Sequence, residues 1–477
     1  MSLVSRADAR LPLLIAVVLM GGMMGILDGT MVAVAVDTLT TELGSPLSTI
    51  GWVATAYLLT LIVTIPVTGW AVGRFGARRP WLLGLVLFLA GSLASGLAWN
   101  AGTLITFRVV QGLGAGILDP LVLVLLARAA GPSQAGQVMG LMTGVLSLGP
   151  VLGPVIGGVV LDGLGWRWMF LVNLPIGVLA LALAVRVLPD DRPVTADRTR
   201  LDVIGLALLA PGLAALCLAL SQTAETARIT AWQALTPLAA GLVLPAVYGA
   251  HALRSRRSAP PLIDLRLFAG RGFSAGVAAM TLTGVALFAT LFVLPLYFQQ
   301  VHGRSALAAG LLVAPAGLGA ALASPFAGRH SDRFGGRTMV RAGALLSGLG
   351  MLALTRLGTG TPLIWAAAAG LVIGLGLGCV GAPAMGSLYR TLPARLVPQG
   401  SSVLYMLNQL GASFGIAAVA LVMETAGDLL GGFHTVAYLG TAAIALMFLA
   451  AGFLPGRAGP APDGTPSDAP LPEEATT

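Results

Sequence analysis

The sequence predicts an all-α membrane protein: fourteen transmembrane helices in two six-helix bundles, with two helices inserted between them. Three observations carry this. Of 477 residues, 56% are hydrophobic and 10% charged, against about 25% charged in an ordinary soluble domain. Fourteen apolar runs are long enough for a bilayer, which takes ~20 residues of helix. The arginines alternate between dense and sparse loops along the chain.

The first run, residues 12–36, is too long for the apolar core of a signal peptide and contains Asp28, so it reads as a retained helix. Runs at 48–72 and 80–99 flank a loop with Arg74, Arg78 and Arg79. The run 103–127 holds Arg108 and Asp119 and ends before Arg128. Runs at 136–160 and 168–188 lie either side of Arg167 and complete an N-terminal bundle over 1–188. Runs at 201–221 and 231–252 lack a mid-membrane charge and form, with a linker, an inserted segment over 189–252. This pair is expected to pack beside or between the bundles. A cytoplasmic loop over 253–272 carries Arg254, Arg256, Arg257, Arg266 and Arg271. Runs at 273–298, 305–326, 338–357, 361–389, 400–424 and 433–454 form a C-terminal bundle over 273–454. The tail, 455–477, is rich in Pro, Ala and acidic residues and reads as disordered.

All 27 basic residues are arginine. Without lysine the chain has no Walker A motif and is not itself a P-loop ATPase. Cys217 and Cys379 sit in separate apolar runs, as buried thiols rather than a disulfide or metal site. The four histidines are scattered, so no metal site is expected. With the N-terminus inside, the even-numbered loops and the two termini hold 22 of the 27 arginines. That asymmetry places both termini in the cytoplasm. It also explains the net charge of +8 without a nucleic-acid partner.

Two loops repeat. Gly69-Trp70-Ala71-Val72-Gly73-Arg74-Phe75-Gly76-Ala77-Arg78 matches Gly328-Arg329-His330-Ser331-Asp332-Arg333-Phe334-Gly335-Gly336-Arg337, 259 positions on. Gly112-Leu113-Gly114-Ala115-Gly116 parallels Gly374-Leu375-Gly376-Leu377-Gly378, 262 positions on. The second span thus maps to the tenth and the fourth to the twelfth. Repeated bundles around a midplane site are a transporter architecture.

These residues resemble the major facilitator superfamily, in particular its fourteen-helix drug:proton antiporters. The two loops are similar to the superfamily's Gly-x-x-x-Asp-Arg-x-Gly-Arg-Arg signature, with Gly73 in place of the first loop's aspartate. Arg108-Val109-Val110-Gln111-Gly112-Leu113-Gly114 resembles a motif whose arginine is associated with proton coupling. Gly149-Pro150-Val151-Leu152-Gly153-Pro154-Val155-Ile156-Gly157-Gly158 is similar to the antiporter signature, and Leu27 to Ala35 to the signature of the first helix. Segments Trp52–Tyr57, Trp166–Gly177 and Pro261–Phe268 also look like this subfamily. Asp119 stands where the subfamily usually has an apolar residue. The resemblance implies a monomeric transporter of the inner (cytoplasmic) membrane, driven by the proton gradient, with no cofactor and no catalytic residues. Its partners would be a small-molecule substrate, protons and the lipid bilayer.

A charge at the bilayer centre costs about 2.5–3.5 kcal/mol on insertion scales and marks a pathway or relay. Asp28, Arg108 and Asp119 lie well inside their runs. Arg108, Gln111, Ala115 and Asp119 fall on one helical stripe. Asp28, Asp119 and Arg108 are therefore the expected proton-coupling residues, the alternative being a static ion pair between Asp28 and Arg108. Asp28, Asp119, Gln111, Tyr57, Asn408 and Gln409 are the expected cavity. Tyr297, Gln299, Gln300, Asn408 and Gln409 could be interhelical ties as readily as ligands. The doubled Gly-Pro motif is expected to form a tight, bendable seam, and the arginine loops to latch the cytoplasmic ends of the bundles. The function expected is proton-coupled export of lipophilic or cationic small molecules by alternating access. The alternative is a dedicated exporter of one metabolite, antibiotic, peptide or lipid.

Overall fold

The computed structural model describes residues 4–189, 200–226, 232–254, 261–393 and 396–456. Most of the tail and of the linker after 188, and parts of the arginine-rich loop 253–272, lie outside them. Among the described residues every regular element is helical.

Helix α1 (Val4–Met31) carries the first span and continues through a 3₁₀ turn into the short α2 (Val36–Glu42). Helices α3 (Leu47–Phe75) and α4 (Arg78–Gly96) follow. Asn100 then opens α5 (Ala101–Leu146) with a capping box, its Oδ1 accepting from the Thr103 amide at 2.8 Å. The helical assignment of α5 is unbroken, yet the chain doubles back within it. Side chains of both Val122 and Leu146 lie against Gly22, whereas 24 residues of straight helix would separate them by about 36 Å. The fourth and fifth spans are the two limbs of α5, Ala101–Ala130 and the stretch from Gln137. The fifth span is broken, not where the loop was expected but at Ser147 and Leu148. There Pro150, which has no amide hydrogen to continue the ladder, starts α6 (Gly149–Leu164). Helices α7 (Trp166–Leu171) and α8 (Asn173–Val187) share the sixth span.

Helices α9 (Val203–Thr226) and α10 (Trp232–Arg254) occupy the segment expected to be the inserted pair. The C-terminal half comprises α11 (Arg271–Leu296), α12 (Ala306–Phe334), α13 (Gly336–Leu354), α14 (Leu363–Thr391), α15 (Val397–Thr425) and α16 (Leu429–Ala450). Thirteen stretches among the described residues are long and apolar enough to cross a membrane. Helix α13 is not one of these, because Arg337 and Arg341 lower the hydropathy of its first turns.

The internal repeat reappears as packing. Gly112 and Gly116 lie against the α3 carbonyls of Tyr57 and Leu61. Gly374 and Gly378 lie against the α12 carbonyls of Ala316 and Ala320, 259 positions further on. Gly114 meets Gly84 and Phe88 of α4, and Gly376 meets Gly343 and Ser347 of α13, with the same shift. At each of these points a side chain would collide with backbone, so glycine is what permits the close approach.

The two halves interlock at their arginine-rich ends. A Cβ on Gly69 would lie 3.3 Å from the Gln399 Cα, and one on Gly140 2.7 Å from the Ser324 carbonyl oxygen. A Cβ on Gly144 would lie 2.8 Å from that of Ala321, and one on Gly381 2.9 Å from Thr143. Towards the opposite end, a Cβ on Gly51, Gly158 or Gly310 would meet nothing within 4 Å. Helix α9 packs on α3 and on α15, one from each half, and α10 packs on α9.

Candidate functional site

Five of the first six spans supply Asp28 and its partners. This carboxylate is 1% exposed and Arg108 is fully buried. Arg108 Nη1 donates to Asp28 Oδ2 in a direct ion pair. Asp28 Oδ1 accepts from Gln111 Nε2 at 2.8 Å and from Asn173 Nδ2 at 2.9 Å. Both amides also donate to Ser92 Oγ, at 3.2 and 3.1 Å, and Ser92 Oγ donates to the Phe170 carbonyl at 2.7 Å. Arg108 reaches the Val53 carbonyl through Nε at 3.1 Å and Gln111 Oε1 through Nη1 at 2.8 Å. Its Nη2 makes no hydrogen bond to a described residue. Instead the guanidinium lies over the Tyr57 ring, 4.0 Å from the centroid, with Phe170 at 5.6 Å. A buried charge persists only when paired and hydrogen-bonded, and here the pairing draws on α1, α3, α4, α5, α7 and α8.

Tyr57 links this network to Asp119. Its hydroxyl donates to the Gly25 carbonyl at 3.0 Å. A Cβ on Gly25 would stand 3.5 Å from Asp119 Oδ1, 3.8 Å from the Tyr57 hydroxyl and 3.9 Å from the Ala115 Cβ. Asp119 is therefore on the side of α5 that faces α1, as the shared stripe with Arg108 requires. Unlike Asp28 it is only partly buried. It accepts no hydrogen bond from any described residue and pairs with no cation among them.

Helix α6 lies along α1. Cβ atoms on Gly149, Gly153 and Gly157 would press on Ile26, Thr30 and Met31 respectively. Three glycines at four-residue spacing thus form the seam with the helix that carries Asp28, while Gly158 faces open space and Pro154 sits inside the helix. The seam covers three of the motif's four glycines.

The two repeated loops share three further features. Gly76 (φ 78°) and Gly335 (φ 86°) end their helices in a left-handed conformation suited to glycine. Arg74 lies over Phe75, and Arg333 over Phe334. Arg78 Nη2 donates to the Val185 carbonyl at 2.7 Å, and Arg337 Nε to that of Leu454 at 3.0 Å. Arg78 thus holds the last turn of α8, and Arg337 the end of the 3₁₀ turn that follows α16. Between the halves the contact is Gly69 on Gln399; Gly328 approaches Gly140. The Asp332 side chain lies outside the described residues.

The two candidate cavity residues of α15 are not brought to Asp28. Asn408 Nδ2 donates to the Met280 carbonyl at 2.8 Å and ties α15 to α11. Gln409 is partly buried, with no hydrogen bond from its side chain to a described residue. Tyr297 is a tie as well, donating to the Gly358 carbonyl at 2.9 Å. Sequence reasoning missed Ser92 and Asn173. Asn173, a polar amide in an otherwise apolar run, was the signal available.

A family model described as Major Facilitator Superfamily matches residues 14–416 and 275–473. The chain belongs to the Major Facilitator Superfamily. It is a multi-pass membrane transporter, in a family that moves small molecules rather than transforming them, and among the superfamily's drug transporters. It is 38% identical over 422 residues to the multidrug resistance protein B homolog of Mycobacterium tuberculosis, covering 88% of this chain and 77% of that one. It is 32% identical over 409 residues to the methylenomycin A resistance protein of Streptomyces coelicolor, covering 86% and 85%. A double-tryptophan mutant of XylE shares the superfamily fold, with a TM-score of 0.69 at 18% identity and coverage of 95% and 97%.

Proposed function

We propose that the chain is a monomeric antiporter of the inner membrane, with both termini cytoplasmic. It exports lipophilic and cationic small molecules in exchange for protons. The observation that carries this reading is the sealed Asp28–Arg108 pair, held by groups from five of the first six spans. Protonating Asp28 removes one charge of a buried pair, and unpairing such a charge costs about 3–5 kcal/mol. The relief is to part Asp28 from Arg108. Because Asp28 rides on α1, that movement shifts the glycine seam with α6 and the Tyr57–Gly25 bond to α3. The arginine-rich ends of the two halves are in contact, an arrangement suited to proton entry from the opposite side.

The energy is adequate. One charge moved across 100 mV is worth about 2.3 kcal/mol, and one pH unit about 1.4 kcal/mol. Exchange of one proton for one monovalent cation uses the pH difference alone, whereas a neutral substrate uses both. No cofactor enters the cycle.

The test is transport in inside-out vesicles with an acidified lumen and a panel of dyes. Uptake of chemically unrelated dyes supports multidrug export. The second reading, a dedicated exporter of one metabolite, antibiotic, peptide or lipid, is favoured by the likeness to a protein named for resistance to one antibiotic. Uptake of a single compound and no dye would establish it instead.

A further inference from the structure

Helix α9 lies on α3 of the first half and on α15 of the second. When the halves of a transporter rock past one another, α9 cannot keep both contacts. At the arginine-rich end a clasp joins α9 and α10 to the segment that leads into α11. Asp202 caps α9, its Oδ1 accepting from the Gly205 amide at 2.8 Å, and its Oδ2 accepts from the Leu262 amide at 3.2 Å. His251 Nε2 of α10 lies 3.0 Å from the same Oδ1. The Tyr248 hydroxyl, also of α10, donates to the Ile263 carbonyl at 2.9 Å and accepts from the Ile263 amide at 2.7 Å. Leu262 and Ile263 are each 3% exposed, so these bonds are made away from water.

The clasp continues into the C-terminal half. The chain after Ile263 forms a 3₁₀ turn, Leu265–Ala269, capped by Asp264. Ser274 Oγ of α11 donates to the Phe268 carbonyl at 2.7 Å, and the Phe268 ring meets Phe273 edge-on with centroids 5.4 Å apart. Further along α9, the Cys217 thiol lies within hydrogen-bonding reach of the Ser413 hydroxyl of α15. Fifteen helical residues put this second anchor about 22 Å from Asp202. Helix α10 follows α9, because Gly212 seats Pro245 and Gly241 seats Leu216 in contacts too close for a side chain.

We infer that α9 and α10 move with the C-terminal half as one body, and that α3 slides along α9 during transport. The inference rests on the antiporter reading above. Movement with the N-terminal half would either strip the buried Leu262 and Ile263 amides of their acceptors, a costly loss, or tear Phe268 from α11.

The first experiment places spin labels at Leu83→Cys on α4, Leu253→Cys on α10 and Thr338→Cys on α13, with Cys217 and Cys379 replaced by alanine. All three positions are exposed. Pairwise distances are read by double electron–electron resonance at acidic and alkaline pH. The expected result is a shift of several ångströms in the 83–338 and 83–253 distances and none in 253–338. A shift in 253–338 overturns the inference and leaves the antiporter reading standing. A fixed 83–338 distance overturns both, because the halves then do not rock. The second experiment adds Ser413→Cys to a Cys379→Ala chain, beside the native Cys217. Mild oxidant should join α9 to α15 with pH-driven transport retained. No cross-link, or a loss of transport that reduction restores, contradicts the inference.

Discussion

Asn173 on the sixth span donates to Asp28 on the first across 2.9 Å, sharing the oxygen that also accepts from Gln111. The bond makes Asp28 a junction between both edges of the N-terminal half. Replacing Asn173 with Ala removes one donor to a buried carboxylate, worth about 1.5–3 kcal/mol for a charged partner. The expected outcome is a drop in pH-driven transport rate of about tenfold or more at unchanged membrane insertion, checked by initial uptake rates in vesicles.

The four glycines of the antiporter motif are unequal. Gly153→Ala forces a methyl onto Thr30 and should abolish or strongly slow transport. Gly158→Ala points into open space and should transport at the wild-type rate. Dye uptake at matched expression distinguishes the two, and equal defects would contradict the seam with α1.

Arg78 and Arg337 hold matching carbonyls in separate halves. Arg78→Ala and Arg337→Ala should each lower stability by about 0.5–1.5 kcal/mol, because each removes a hydrogen bond that ties the arginine loop to the end of its own half. The two bonds lie in separate halves of the chain, so their effects should add. Thermal unfolding in a mild detergent provides the measurement.

Gly69 and Gln399 meet across the arginine-rich end closely enough for a disulfide. A chain carrying Gly69→Cys and Gln399→Cys should cross-link under mild oxidant and lose transport, regaining it on reduction. Cross-linking without loss of transport would mean that this end need not open.

The repeat was legible because close packing leaves glycines at fixed spacing. The loops' offset of 259 recurs in the α3 and α12 carbonyls, and the glycine pair's offset of 262 in the α5 and α14 glycines that meet them. Asp28 and Arg108 were legible because charges inside apolar runs have few bland explanations, and Gln111 because it shares a helical stripe with Arg108. Ser92 and Asn173 were not. Serine occurs freely in membrane helices as a packing residue, and a lone asparagine carries no spacing to connect it with a carboxylate 145 positions away. The break at Ser147 was hidden because Gly149-Pro150 reads as a kink within a span as readily as the start of a new helix. Asn408 looked like a cavity residue, but its amide serves the Met280 carbonyl. Sequence alone cannot say which neighbour a polar side chain satisfies.

The central claim is that Asp28 carries the transported proton. Proton release from purified protein on adding a transported substrate, read with a pH-sensitive dye in weak buffer, tests it most directly. The account predicts release from wild type and none from Asp28→Asn. Full release from Asp28→Asn would contradict it.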